Sequence, residues 1–268
     1  DSSYEKIQYL FHMSKSASPS ANQVVEYSNF ASVVTGEGDW MPAGFPLPDG
    51  GFWQYREPNA VVIVQDGFLR VAAVPYTRGH DTIQFLDNAK HMYFSTRTFA
   101  CPEGGTITFA IDLAATIVDG APHDLYDGFV SFNVLDFSTG AALDFFVGNE
   151  TIATVYGKLP FPGVPLVDPA HGPRHFCLFE EMRDATTAGQ LHHYEIAYDS
   201  AADRVTFSID GKQVRQYSNV PFKLGACTLA LGLMSEKDIA PGKGSVSCHG
   251  QGAVGKWGNI GISTTPGV

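Results

Sequence analysis

The chain has 268 residues, 44% hydrophobic and 17% charged, and carries a net charge of −11 from 17 basic and 28 acidic residues. With no basic cluster, nucleic acid and anionic membrane surfaces are excluded as expected partners, because neutralising phosphate needs grouped Lys and Arg. No apolar run reaches the ~18 residues of a membrane-spanning helix, and 28 Gly with 16 Pro point to many short strands reversed by turns.

Residues 1–22 stand apart. Ser2 with Glu5 fits a capping box, and Tyr4, Ile7, Leu10 and Phe11 fall at helical spacing, so a short N-terminal helix is predicted. Ser14 to Asn22 reads as a polar linker. Residues 23–268 are predicted to form one all-β domain. Strands are expected over 60–64, 67–74, 91–99, 106–113, 129–136, 141–147, 151–157, 193–198, 204–209, 213–217, 227–233 and 257–262, with no βαβ alternation and no fixed repeat. The Pro-rich stretch 158–188 is expected to be a loop with a helical turn around Leu178, Phe179 and Met182, and a loop of that length is a candidate lid.

The clearest segment runs from His193 to Val214. Tyr194, Ile196 and Tyr198 alternate with polar residues, the chain turns through Asp199–Asp203, and Val205, Phe207 and Ile209 alternate again before Asp210-Gly211. A DG pair between alternating runs is a two-residue hairpin signal, because its turn needs φ > 0. This segment resembles the H-x-Y-x-I…V-x-F-x-I-D-G-x-x-V region of concanavalin-like jelly rolls, the fold of laminarinases, related glucanases and many lectins. Further likenesses follow in the same order: Asp66 to Val71, Ser95 to Phe99, Gly128 to Asp136, Leu143 to Glu150, and the closing Trp257-Gly258-Asn259-Ile260. The resemblance implies a jelly-roll sandwich of two antiparallel sheets, with His193 in a structural role.

It also implies a chemistry that the residues do not supply. Retaining glucanases of this type carry E-x-D-x-x-E or E-x-D-x-E on one cleft strand, giving two carboxylates about 5 Å apart as nucleophile and acid/base. The matching string here is Ala142-Leu143-Asp144-Phe145-Phe146-Val147, which keeps only the middle acid, and Glu150 lies past the expected strand end. Hydrolysis by the family mechanism is therefore not expected.

A cleft lined by Ala142 and Phe146, with Asn133 and Ser131 on one neighbouring strand and Ile152, Thr154 and Tyr156 on the other, suits an apolar or aromatic small molecule. The leading expectation is a cofactor-free enzyme such as a cyclase (including a pericyclic one), isomerase or lyase of a biosynthetic pathway. Asp144, Arg97 and Tyr156 are the catalytic candidates, with Arg97 stabilising developing negative charge. Trp53, Tyr55, Asn133, Phe146, Thr154 and His175 are the substrate-binding candidates. The alternative is a carbohydrate-binding, lectin-like protein or a degenerate hydrolase or polysaccharide lyase, with Trp53 and Tyr55 stacking on a sugar face. A slip of one residue in register inverts these facings.

His80-Asp81 and His123-Asp124 are adjacent pairs in loops, and His171 and Arg174 share the Pro-rich stretch with His175. No H-x-H or H-E-x-x-H spacing marks a metal, and no phosphate-cradling or dinucleotide fingerprint appears, so no cofactor and no motif-marked metal is expected, while a calcium held by loop carbonyls and Asp residues stays open. Cys101, Cys177, Cys227 and Cys248 lack C-x-x-C spacing, leaving two disulfides or four thiols open. The Asn149-Glu150-Thr151 sequon and a start at Asp1 favour a secreted protein over a cytoplasmic one. Oligomeric state stays open.

Overall fold

A computed structural model describes residues 23–27, 30, 31, 33, 38–46, 49–77, 89–121, 123–161, 163, 164, 167, 168, 172, 173, 175–236, 239, 240, 244, 245 and 248–267. The predicted N-terminal helix and linker, the His80-Asp81 pair, His171 and Arg174 lie outside the described residues.

In chain order the strands are β1 (Gln23–Glu26), β2 (Trp40–Pro42), β3 (Gly44–Pro46), β4 (Phe52–Gln54), β5 (Val61–Gln65), β6 (Phe68–Ala73), β7 (Ala89–Ser95) and β8 (Phe99–Ala100). There follow β9 (Thr106–Val118), β10 (Phe129–Asp136), β11 (Ala141–Val147), β12 (Ile152–Lys158), β13 (Val167–Asp168), β14 (Gly172–Pro173) and β15 (Phe176–Met182). The last are β16 (His192–Asp199), β17 (Arg204–Ile209), β18 (Lys212–Ser218), β19 (Ala226–Met234), β20 (Ile239–Ala240), β21 (Gly244–Ser245) and β22 (Gly252–Thr265). A 3-10 turn, Leu125–Asp127, precedes β10.

Most of the strands form two antiparallel sheets stacked as a jelly-roll sandwich, while β3-β4, β13-β14 and β20-β21 are separate two-stranded pairs. The first runs β18-β17-β16-β9-β22-β6-β5 with β1 beside β22; the second runs β15-β12-β11-β10-β19-β7-β2 with β8 also against β19. Asp210 and Gly211 turn at φ 51° and 74°, the left-handed geometry that the DG pair predicts for the β17–β18 hairpin. Alternation then sends Tyr194, Ile196, Tyr198, Val205 and Phe207 inward, all buried. From the second sheet Phe145 meets Tyr194 and Phe207 with ring centroids 4.8 and 5.3 Å away. The Trp257 indole N–H donates to the Ser131 carbonyl at 3.0 Å and so ties the two sheets together.

The predicted strands 129–136 and 141–147 match β10 and β11, while β9 and β22 extend beyond their predicted ends. The start of β22 carries no alternating signal, because Gly252 packs where an added Cβ would lie 2.4 Å from the Ala73 carbonyl oxygen. One element is corrected. Residues 176–182 form an edge strand against β12, with Phe179 opposite Val155, and not a helical turn.

The two sheets are buried differently. In β16 buried and half-buried positions alternate, as in a sheet with one face on solvent. In β10 and β11 every residue is buried, so the second sheet is covered on both faces.

Candidate functional site

Register decides what each face of the second sheet presents. In β11 the residues Ala141, Leu143, Phe145 and Val147 belong to the core between the sheets. Ala142 and Phe146 belong to a second apolar cluster, on the outer face, where the resemblance places a cleft. Across β10 the partners of Asp144 and Phe146 are Asn133 and Ser131, which therefore share that outer face as expected. Across β12 the partner of Asp144 is Val155, while Thr154 pairs with Phe145 and Tyr156 with Leu143.

Thr154 and Tyr156 consequently face the inter-sheet core, which corrects their placement in the cleft. Tyr156 stacks on Tyr217 at 4.3 Å and meets Phe176 and Phe222, and burial pushes its hydroxyl up to about 12. The cause is a one-strand error of phase: β12 begins at Ile152, and Ile152 itself packs in the inter-sheet core.

The outer face is filled. Tyr55 (1% exposed), Leu125, Leu159, Phe161 and Val164 cover it, with Trp53, Phe137 and Phe179 packed at its margins. Phe146 stacks on Phe129 at 4.1 Å and touches Phe179 at 5.9 Å, and Phe179 stacks on Tyr126 at 5.3 Å. This gives an aromatic run from the buried floor to Tyr126, which is 42% exposed. The expected open cleft above Ala142 and Phe146 is therefore replaced by a packed apolar layer.

Asp144 lies inside that layer, 0% exposed, and neither carboxylate oxygen has a hydrogen-bond partner. Burial first, and then the negative charge of Glu236, raise its carboxyl well above the ordinary range; the Val134 backbone offsets this slightly without forming a geometric hydrogen bond. Burial of this kind favours the protonated carboxyl over the charged one. Glu236 follows β19, donates its backbone N–H to the Tyr126 carbonyl at 2.7 Å, and is raised to about 7 by burial. The Tyr126 hydroxyl is raised as well, by burial and then by the charges of Glu236 and Glu181. An acid raised by burial, a second acid raised to about 7 and a rim tyrosine thus meet on one face.

Asn133 donates its amide to Ser131 Oγ at 2.9 Å and to the Ala230 carbonyl at 3.1 Å, which fixes it beside Asp144. Tyr55 and Trp53 act as cover for the face. Arg97 does not join this group. It sits past the end of β7, over the Tyr27 ring at 4.7 Å and 3.8 Å from Asp39. His175 precedes β15, and its Nε2 is buried with no hydrogen-bond partner. Sequence reasoning missed Glu236 and Tyr126, because no motif carries them: the β10–β19 pairing and a three-residue turn bring them to Asp144.

The sequon is occupied by structure. Asn149 accepts from the Ile117 N–H at 2.7 Å and donates to the Ile117 carbonyl at 2.8 Å, copying a ladder pair, and Thr151 is buried. The four cysteines are free thiols, with Cys101 Sγ and Cys227 Sγ 3.8 Å apart. Among the described residues no helix is long and apolar enough to cross a membrane.

The fold is that of the β-glucanase jelly rolls. An endo-1,3-beta-glucanase from Streptomyces sioyaensis superposes with a TM-score of 0.56 at 15% identity, covering 94% of this chain and 100% of its own. A Bacillus licheniformis beta-glucanase superposes at 0.53 and 12% identity, covering 92% and 99%. A structure described under endo-acting O-glycanases of human gut microbiota that initiate mucin breakdown gives 0.53 and 16%, covering 92% and 99%. Residues 27–266 match the model of "Family of unknown function (DUF6081)", and the chain belongs to that family. No curated protein sequence matches it.

Proposed function

We propose that this protein recognises a carbohydrate at the rim of the outer face and does not cleave it by the two-carboxylate retaining mechanism. The observation that carries this reading is β11 itself. On the strand where the glucanase resemblance expects a nucleophile and an acid/base, positions 142, 144 and 146 hold Ala, Asp and Phe, all beneath an aromatic layer. A retaining mechanism needs two carboxyl groups flanking an accessible glycosidic bond, and here the single acid on the strand is sealed.

Support for a sugar comes from the fold neighbours, among them a glucanase and a structure described under endo-acting O-glycanases, and from the rim. Tyr126 lies over Phe179 with its outer face open, and Glu181 stands beside it. A stacking ring next to hydrogen-bond acceptors suits the apolar face and hydroxyls of a pyranose. Secretion fits a protein that meets a polysaccharide outside the cell, and we place it there on that ground.

A small-molecule cyclase or isomerase has one observation in its favour, an Asp144 carboxyl raised by burial in the aromatic layer. The filled outer face leaves that reading without room for a substrate, so carbohydrate recognition is preferred.

The test is affinity electrophoresis and calorimetry with β-1,3-glucan, mixed-linkage β-1,3-1,4-glucan and mucin O-glycans, run beside a reducing-end release assay. Saturable binding to one class, weakened at least tenfold in Tyr126→Ala, with no release of reducing ends, is the expected result. Binding to none of these, or turnover of any of them, overturns the proposal.

A further inference from the structure

Tyr126, the open ring of the rim, stands in a turn of only three residues, Leu125–Asp127. The turn's own backbone bonds are long: the Asp127 N–H reaches the Asp124 carbonyl, and the Gly128 N–H the Leu125 carbonyl, each at 3.2 Å. One such turn is marginal without outside support. We propose, resting on the carbohydrate reading of the rim, that Asp127, His249 and Gln251 are the positioning residues of that site. They clamp the turn from the segment that leads into β22, and so hold the Tyr126 ring ready for stacking.

The clamp is a closed ring of hydrogen bonds. Asp127 is 1% exposed, and burying a carboxyl group is costly unless its oxygens find partners. Both do. Oδ2 accepts from the Ala121 N–H at 2.6 Å, and His249 Nε2 donates to Oδ1 at 2.6 Å. The His249 N–H in turn donates to Gln251 Oε1 at 2.8 Å, and Gln251 Nε2 donates back to the Asp127 carbonyl at 2.9 Å. Gln251 is fully buried, and its own carbonyl accepts from the N–H of the core residue Tyr76 at 2.7 Å. The ring is thereby fastened to the body of the sandwich.

Tyr126 is also held at both of its backbone groups. Asp124 Oδ1 accepts from the Tyr126 N–H at 3.0 Å, and the Glu236 N–H donates to the Tyr126 carbonyl at 2.7 Å. Beside it, Leu125 is buried in the outer apolar layer. With the backbone fixed on either side, the ring stays stacked on Phe179 at 5.3 Å and keeps its other face open. A stacking surface ordered before the ligand arrives spares binding the cost of ordering it.

Of the three positioning residues, only His249 reaches water. Its side chain is 48% exposed, against 2% for Asp127. Truncating it therefore opens the ring without cutting into the core. Glutamine carries its amide nitrogen as many bonds from Cα as the imidazole Nε2, so His249→Gln offers Asp127 the same donor.

The test compares the full-length wild type, His249→Ala and His249→Gln in two measurements. Calorimetry reads binding of β-1,3-glucan, mixed-linkage β-1,3-1,4-glucan and mucin O-glycans. Hydrogen exchange reads the amides from Tyr126 to Gly128 against those of β10. Glycan binding weakened about fivefold in His249→Ala and restored in His249→Gln is expected, with the faster exchange of His249→Ala confined to the turn. A wild type that binds none of the glycans sinks the carbohydrate reading, and the positioning role with it. If the wild type binds, the clamp alone is overturned by equal binding in His249→Ala, by failure of His249→Gln to restore it, or by exchange that quickens throughout β10.

Discussion

The Asp144 carboxyl lies within reach of the charge on Glu236, and both acids are taken out of water on the outer face of the second sheet. Neither supplies a counter-charge to the other, so the cheaper state is the protonated one. The folded chain therefore holds protons that the unfolded chain releases. Stability from this source is complete below the ordinary carboxyl values of 3.8 and 4.5, and is lost as pH rises through about 7 for Glu236 and through the raised value of Asp144. Asp144→Asn mimics the neutral form. It should raise the Tm above pH 7 and leave it unchanged near pH 3, each unit of raised pKa being worth about 1.4 kcal/mol. Thermal melts across pH decide the matter, and a variant less stable than wild type at pH 8 contradicts the upward shift of Asp144.

Reinstating the glucanase nucleophile should fail structurally. Ala142 is 0% exposed beneath the outer apolar layer, so Ala142→Glu places a carboxylate in a space without partners. The expected loss is about 3 kcal/mol or more, with no gain of glycosidase activity. Denaturant unfolding reads the loss; an unchanged midpoint would mean that the layer opens readily to water.

Cys101 and Cys227 are 126 residues apart in sequence with sulfurs 3.8 Å apart. Oxidation should join them with little backbone movement and stabilise the fold by roughly 2–4 kcal/mol, since the closed loop is long. Peptide mapping without reductant identifies the linked pair. Exclusive pairing of Cys177 with Cys248 would contradict the expectation.

Asn149 is held by both backbone groups of Ile117. Asn149→Ala should cost about 1–3 kcal/mol, because two partly buried backbone groups lose their partners. Material from a glycosylating host should carry no glycan at this position in the folded fraction, which intact-mass measurement tests.

The legible part of the sequence is the part whose signal is local. The Asp210-Gly211 turn and the alternation of Tyr194, Ile196 and Tyr198 set the hairpins before any tertiary contact is considered. β10 and β11 are readable because their apolar runs end at turn residues. The same near-continuous runs also carry the mark of a sheet buried on both faces, a signal that the expectation of an open cleft overlooked. Thr154 and Tyr156 were misplaced because phase is not transmitted through a turn: Gly148 to Thr151 resets which residue of β12 points inward. Phe176–Met182 looked helical by spacing, and pairing with β12 made it a strand. Glu236 and Tyr126 join Asp144 through contacts more than ninety residues apart, which no local pattern encodes.

The covering of the second sheet on both sides has a consequence for its motions. The peptide N–H groups of β10 and β11 lie behind apolar layers in either direction, so solvent exchanges their protons only when a whole layer lifts away. Those amides should be the slowest to take up deuterium in the molecule, while the half-exposed hairpin of β17 and β18 exchanges early. The strand on which the glucanase resemblance expects the active carboxylates is here insulated from water along its whole length.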